Sequence, residues 1–248
     1  MKILVVGDSC IDNFVYCNID RLCPEAPVPV LKPLNTTSNP GMAANVARNL
    51  TALGVDVEMI TNRLNIRKTR YVDNKSGQMI MRLDEEDKCD NIKTLSTQDV
   101  VMPGELLQDP DYDALIISDY CKGFLTEEDI ESLINNCPCL VFIDTKKKLG
   151  SFVEDADFIK INKPEWDNNI EYTGDNVIIT DGKNGAIYND KVFPVKKEVN
   201  VSNVSGAGDT FLAALAFKYI EKGDIESAID FANECASKVV QERGVTII

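Results

Sequence analysis

Seven short apolar runs recur along a chain of 248 residues: Ile3–Val6, Val55–Ile60, Ala114–Ile117, Leu140–Ile143, Phe158–Ile161, Val177–Ile179 and Gly244–Ile248. Their hydrophobicity is continuous rather than alternating. Such strands must be covered on both faces, as in parallel sheets sandwiched between helices. Helical stretches lie between many of them. Ala43–Leu53 puts Val46, Leu50 and Leu53 on one face and stops at Gly54. Thr126–Asn136 opens with Thr126 and Asp129 at capping-box spacing, Thr210–Lys222 stops at Gly223, and Ile225–Gln241 follows. The alternation predicts a doubly wound α/β fold. At one domain per ~150 residues, the length allows one large domain or at most two small ones, and residues 1–248 are read as one.

Two segments break the pattern. Asn13–Leu31 and Lys68–Leu83 carry Tyr16, Val28, Val30, Tyr71, Val72, Met79 and Met81 at strand-like spacing, with no helix between. Pro24, Pro27 and Pro29 mark an edge or an irregular strand. These segments are expected to form a small antiparallel β lid on a mainly parallel sheet, spanning residues 13–35 and 67–85.

Composition excludes several functions. With 26 basic and 40 acidic side chains the net charge is −14, which repels phosphate backbones and anionic bilayers, so neither nucleic acid nor membrane is an expected partner. No apolar run reaches the ~18 residues of a membrane span. There is no histidine, which removes a His general base, His-ligated zinc and a Ser-His-Asp triad. The eight cysteines form no CxxC pair, and Met1-Lys2 leads directly into the first strand without a signal peptide. They are read as buried free thiols of a cytoplasmic protein, with Cys121 and the Cys137-x-Cys139 pair as packing residues.

In open α/β sheets ligands bind beyond the carboxyl ends of the strands. There the chain places Asp8, Ser118-Asp119, Asp144, Asn162 and Thr180-Asp181. Each alone reads as a turn or cap residue; together they indicate an acidic site suited to hydroxylated ligands and magnesium. Val204-Ser205-Gly206-Ala207-Gly208-Asp209-Thr210 runs into an apolar helix. Small residues let amides approach an anion at a helix N-terminus, although a glycine turn capped by Asp209 reads equally well from spacing. No GxxxxGK[ST] loop occurs.

Asn203–Ala216, reading Asn-Val-Ser-Gly-Ala-Gly-Asp-Thr-Phe-Leu-Ala-Ala-Leu-Ala, resembles the C-terminal signature of ribokinase-like (PfkB) sugar kinases. The resemblance implies that amides of Gly206, Ala207 and Gly208 hold the migrating phosphoryl group and that Asp209 is the catalytic base. Asn39-Pro40-Gly41-Met42-Ala43-Ala44-Asn45 is similar to the family's Gly-Gly-x-x-Asn signature, implying Gly41 and Asn45 at the sugar, beside Asp8 and Asp12. Asn162-Lys163-Pro164-Glu165 resembles its Asn-x-x-Glu motif. It implies nucleotide contact and Mg²⁺ held through water by Asn162 and Glu165. Thr180, Asp181 and Gly182 match a loop used against the nucleotide, and Asn233 a position near the adenine.

Gly7–Asp12, Pro24–Val30, Gln78–Glu86, Ser118–Gly123 and Phe231–Asn233 bring the chain nearest to the branch acting on D-glycero-β-D-manno-heptose 7-phosphate. The implied reaction moves the γ-phosphoryl of ATP to the anomeric hydroxyl, with Lys68, Arg70 and Arg82 of the lid meeting the distal phosphate. Alternatives are another sugar or sugar phosphate, or a non-catalytic sugar- or nucleotide-binding relative. The resemblance leaves room for a monovalent cation and for a homodimer joined through the lid. Three departures stand out: Met42 replaces the family's second glycine, a helix and strand are missing between Thr61 and Lys68, and the excursion between Glu165 and Val177 is short.

Overall fold

The computed structural model describes residues 1–63, 66–95, 111–169, 171–196, 199–201, 203–242 and 244–248. Six apolar runs form parallel strands: β1 (Lys2–Gly7), β4 (Asp56–Thr61), β7 (Ala114–Asp119), β8 (Leu140–Thr145), β9 (Phe158–Asn162) and β10 (Val177–Thr180). An antiparallel hairpin, β11 (Ala186–Tyr188) and β12 (Lys191–Phe193), extends them to an eight-stranded sheet in the order β12-β11-β10-β9-β8-β7-β1-β4.

Alternate residues of each inner strand feed opposite layers, which explains the unbroken hydrophobicity. Ile3, Val5 and Ile116 pack under α1 (Ala43–Ala52), α4 (Ala207–Lys222) and α5 (Ile225–Val239). Leu4, Val6 and Leu115 pack with Ile130 and Leu133 of α2 (Glu127–Asn135). Thr126 caps α2 in the expected box with Asp129.

The expected strand at Gly244–Ile248 does not form. Val245 packs instead against Phe14 and Val72, and the Ile248 amide donates to Asn49 Oδ1 at 3.2 Å. Helix α4 also starts at Ala207 rather than Thr210, because Gly206 in the left-handed region (φ 83°) serves as its cap.

The second sheet is built from β2 (Ser9–Asn18), β3 (Lys32–Met42), β5 (Ile66–Asp73) and β6 (Met79–Glu85) in the order β3-β2-β5-β6. Its outer pairs are antiparallel and its central β2/β5 pair is parallel. The proline-rich stretch contributes only an isolated bridge between Leu22 and Pro29, and regular pairing resumes at Lys32 and runs directly into α1. β4 ends at Thr61 and β5 begins at Ile66, and Met59 is 40% exposed on the sheet edge.

Candidate active site

Three chain segments converge where α4 begins, beyond the carboxyl ends of β7, β8 and β9. A Cβ on Gly206 would lie 2.7 Å from Asn45 Nδ2, and one on Gly208 would lie 2.8 Å from Lys160 Nζ. Glycine at the first position therefore serves both the turn and the approach of α1, and at the second it admits a lysine to the amide cradle. The positive end of the α4 dipole lies at this convergence, with the Ala207 amide donated to the Val204 carbonyl at 3.3 Å.

Asp209 sits in that first turn, 4% exposed. Tyr120 donates its hydroxyl to Oδ1 at 2.5 Å, and Asn45 donates Nδ2 to Oδ2 at 3.1 Å. Burial pushes the carboxyl up to about 6 and Asp144 adds to the rise, against the pull of Tyr120, Asn45 and Lys160. Asp209 is thus ionised near neutral pH and still basic enough to take a proton.

Lys160 is buried in mid-strand β9 and bonds Asp144 Oδ2 at 2.6 Å. Lys146 bonds Asp144 Oδ1 at 3.1 Å and Glu165 at 2.8 Å. Burial acts to raise the Asp144 carboxyl, but the two lysines outweigh it and hold it low. Burial likewise opposes the charge on Lys146, yet Asp144 and Glu165 hold its ammonium above the usual range. The result is a continuous ladder, Lys160–Asp144–Lys146–Glu165, from the glycine cradle to the Asn-x-x-Glu motif. Tyr120 spans its upper side, with Lys146 5.3 Å and Lys68 of the second sheet 5.4 Å from its ring centre.

The other expected residues separate into those turned toward this space and those engaged in the scaffold. Asp8 accepts backbone amides from Tyr120 (2.7 Å), Phe124 (3.3 Å) and Lys122 (3.4 Å). It pins the loop that delivers Tyr120. Burial and Asp119 raise its carboxyl, and the three amides oppose them. Asp12 pairs with Arg70, whose guanidinium also lies 5.2 Å from the Phe14 ring centre. A Cβ on Gly41 would come within 2.1 Å of Asp12 Oδ2, so the glycine clears room for that carboxylate.

Arg82 stands directly opposite Arg70 across β5/β6 and grips Asp84 with Nε and Nη2, each at 2.7 Å. Asn162 and Glu165 form a reciprocal capping box on the short helix α3 (Lys163–Trp166), and Lys163 pairs with Asp167. Thr180 donates to the Ile161 carbonyl at 3.3 Å, Asp181 accepts from Asn184 at 2.8 Å, and Gly182 has φ 51°. Asn233 is buried and donates to the Phe193 carbonyl at 2.9 Å, tying α5 to β12.

Sequence reasoning missed Tyr120, Lys146 and Lys160. Lys160 carried a usable signal: a lone cation inside the apolar run Phe158-Ile159-Lys160-Ile161 has to find a buried partner. Tyr120 gave none beyond its place after a strand end. Met42 caps α1 at φ 59°, where a non-glycine backbone is strained, and packs against Cys10 and Ile66.

Residues 111–248 match the pfkB family of carbohydrate kinases. Over 98% of its length the chain is 32% identical to the bifunctional protein HldE of Campylobacter jejuni (strain RM1221), and 31% identical to that of Campylobacter jejuni subsp. doylei. It spans 62% of the length of these curated relatives. Ribokinase from Thermotoga maritima superposes with a TM-score of 0.71 at 18% identity, covering 98% of this chain and 94% of that one. Phosphofructokinase-2 from Escherichia coli in complex with potassium gives 0.71 at 16% identity, covering 98% and 93%. At these identities the structural likeness is one of fold. Among the described residues no helix is long and apolar enough to cross a membrane.

Proposed function

The chain belongs to the pfkB family of carbohydrate kinases, and from that premise we propose that it moves the γ-phosphoryl group of ATP to the anomeric hydroxyl of a heptose 7-phosphate. Residues 1–248 act as one cytoplasmic kinase domain and the second sheet as its lid. The observation carrying this reading is Asp209: a buried carboxylate with a pKa of about 6, oriented by Tyr120 and Asn45, beside a glycine cradle at a helix N-terminus. Asp209 takes the hydroxyl proton as that oxygen attacks the γ-phosphorus. The amides of Gly206, Ala207 and Gly208, with Lys160 behind them, stabilise charge on the migrating oxygens, and ADP departs. Magnesium supplies charge neutralisation on the β- and γ-phosphates when bound. Asn162 and Glu165 offer the hard oxygen donors it prefers, and the bond from Glu165 to Lys146 suits contact through water.

A phosphorylated sugar is favoured by the Arg70/Arg82 pair. Like charges directly opposite across two strands destabilise a sheet. Here Asp12 and Asp84 compensate them, with Lys68 in the same row. A phosphate replacing those carboxylates makes charge-assisted, bidentate contacts. The heptose itself rests on the branch motifs, Pro24–Val30 foremost. Met42 favours a second reading, a different sugar phosphate, because a side chain packed against Cys10 and Ile66 stands where the resemblance expects glycine. A panel with an ADP-release readout separates them: heptose 7-phosphate is expected to exceed ribose, fructose 6-phosphate and adenosine in kcat/KM, and faster turnover of any of these refutes the heptose assignment. Exposed Leu34, Met81 and Leu83 on the lid support a homodimer formed there, which sedimentation velocity tests.

A further inference from the structure

We infer that Cys137 and Cys139 are a dithiol site, closing to an intrachain disulfide by exchange with a neutral or cationic small-molecule disulfide. Their spacing reads as packing in the sequence, but the geometry is more specific. The two sulfurs are 3.1 Å apart across Pro138, in the turn between α2 and β8. A disulfide needs about 2.05 Å, so closure asks for roughly 1 Å of side-chain movement. Both residues are half-buried, whereas Cys10, Cys17 and Cys235 are buried. The turn is held from below by the Cys137 amide, which donates to the Ile134 carbonyl at 3.1 Å. The site lies on the sheet rim opposite Asp144, at the amino end of β8.

The pair is chemically asymmetric. The hydrogen bond from Cys139 holds the Cys137 thiol below its usual range, while the same bond, burial and the Cys137 charge push the Cys139 thiol far above it. Cys137 is the attacking sulfur and Cys139 the resolving one. The Cys137 thiolate attacks one sulfur of R–S–S–R, forming a mixed disulfide and expelling R–S⁻, which takes a proton. Cys139 then loses its proton to solvent, attacks the Cys137 sulfur and expels the second R–S⁻. Two protein thiols are oxidised by two electrons, and one small disulfide is reduced to two thiols.

Two carboxylates act on the pair and bias the co-reactant, Asp157 and Asp113, the latter also 3.8 Å from the Met1 ammonium. Asp157 accepts the Val141 amide at 2.7 Å and Asp113 accepts the Lys2 amide at 2.8 Å. Their field acts on Cys137 and Cys139 respectively. Cationic cystamine is therefore favoured over anionic glutathione disulfide, and salt reduces the difference.

The test exposes the purified full chain to each disulfide, blocks residual thiols, and maps the digest by mass. In the wild type the peptide holding both cysteines should lose two hydrogens and carry no adduct, at least about threefold faster with cystamine at low salt. Cys139→Ser should accumulate the cysteamine adduct on Cys137, and Cys137→Ser should leave Cys139 free. A persistent adduct on Cys137 in the wild type, or two free thiols after Cys121 or Cys23 has reacted, overturns the site. An adduct on Cys139 in Cys137→Ser overturns the assigned order, and equal rates for the two reagents overturn the charge selection.

Discussion

Tyr120→Phe removes one hydroxyl and little else, since the ring keeps its place between Lys68 and Lys146. The lost bond is the 2.5 Å donation to Asp209 Oδ1, a hydrogen bond to a charged acceptor. Such bonds contribute about 1.5–3 kcal/mol, and each pKa unit corresponds to about 1.4 kcal/mol. Without it the carboxyl should rise by about 1–2 units, from about 6. The sign follows from the base needing to be ionised: activity is retained above its pKa and lost as pH falls through it. The acid limb of kcat/KM should therefore move from near pH 6 in the wild type to roughly pH 7–8 in the variant. At pH 6.5 the variant should be slower by roughly 3- to 25-fold, and by pH 9 the two rates should approach one another. Tyr120 itself does not titrate in this window, because burial and the Asp209 charge raise its hydroxyl well above the usual range. The assay is coupled ADP release from pH 5.5 to 9 at constant ionic strength. Superimposable acid limbs would refute the link from Tyr120 to the base. A loss of equal size at every pH would show that the hydroxyl acts only on structure.

Asp209→Asn should lower kcat by roughly 10²–10⁴-fold while ATP affinity holds or improves, and single-turnover transfer close to wild type would refute the general-base role. Gly208→Val puts a side chain where Lys160 Nζ lies 2.8 Å from the Cβ position, so nucleotide affinity by calorimetry should fall together with turnover. Arg82→Ala should raise KM for a phosphorylated sugar more than about tenfold through the loss of a charge-assisted contact, and an unchanged KM would leave Arg82 paired only with Asp84.

The parallel strands were legible because burial on two faces leaves a continuous apolar trace, and Gly54 and Gly223 marked the helix ends. Gly244–Ile248 has the same composition as a strand, but its Val245 packs against Phe14 and Val72 of the second sheet rather than joining a sheet edge. The β11/β12 hairpin escaped notice because each arm has three residues, although Asn189-Asp190, with φ of 47° and 58°, is a recognisable tight-turn pair. The glycine turn and the buried Asp209 behind it were readable as a local string. Tyr120 and Lys160 were not named, since they reach Asp209 and Gly208 only through tertiary packing, and Asn45 was named for the sugar rather than for its bond to Asp209. The Asn-x-x-Glu motif shows how one spacing serves two purposes: an N-cap box and a pair of oxygen donors have the same signature.

The bond from Asn45 to Asp209 spans 164 positions, and this separation bears on how the protein is made. Translation at 5–20 residues per second puts roughly 8–33 s between the synthesis of the amide and that of its acceptor. By its end β1, β4, β7, β8, β9 and β10 have all been synthesised, but nearly all of α4 and the whole of α5 have not, so Ile3, Val5 and Ile116 lack most of the layer that covers them. The nascent chain then presents an apolar sheet face beside an unpaired polar helix face, the kind of surface that holdase chaperones bind. Closure of that face and the meeting of Asn45 with Asp209 are one event, so a ribosome pausing before residue 207 leaves a chain with its sheet face open and adhesive.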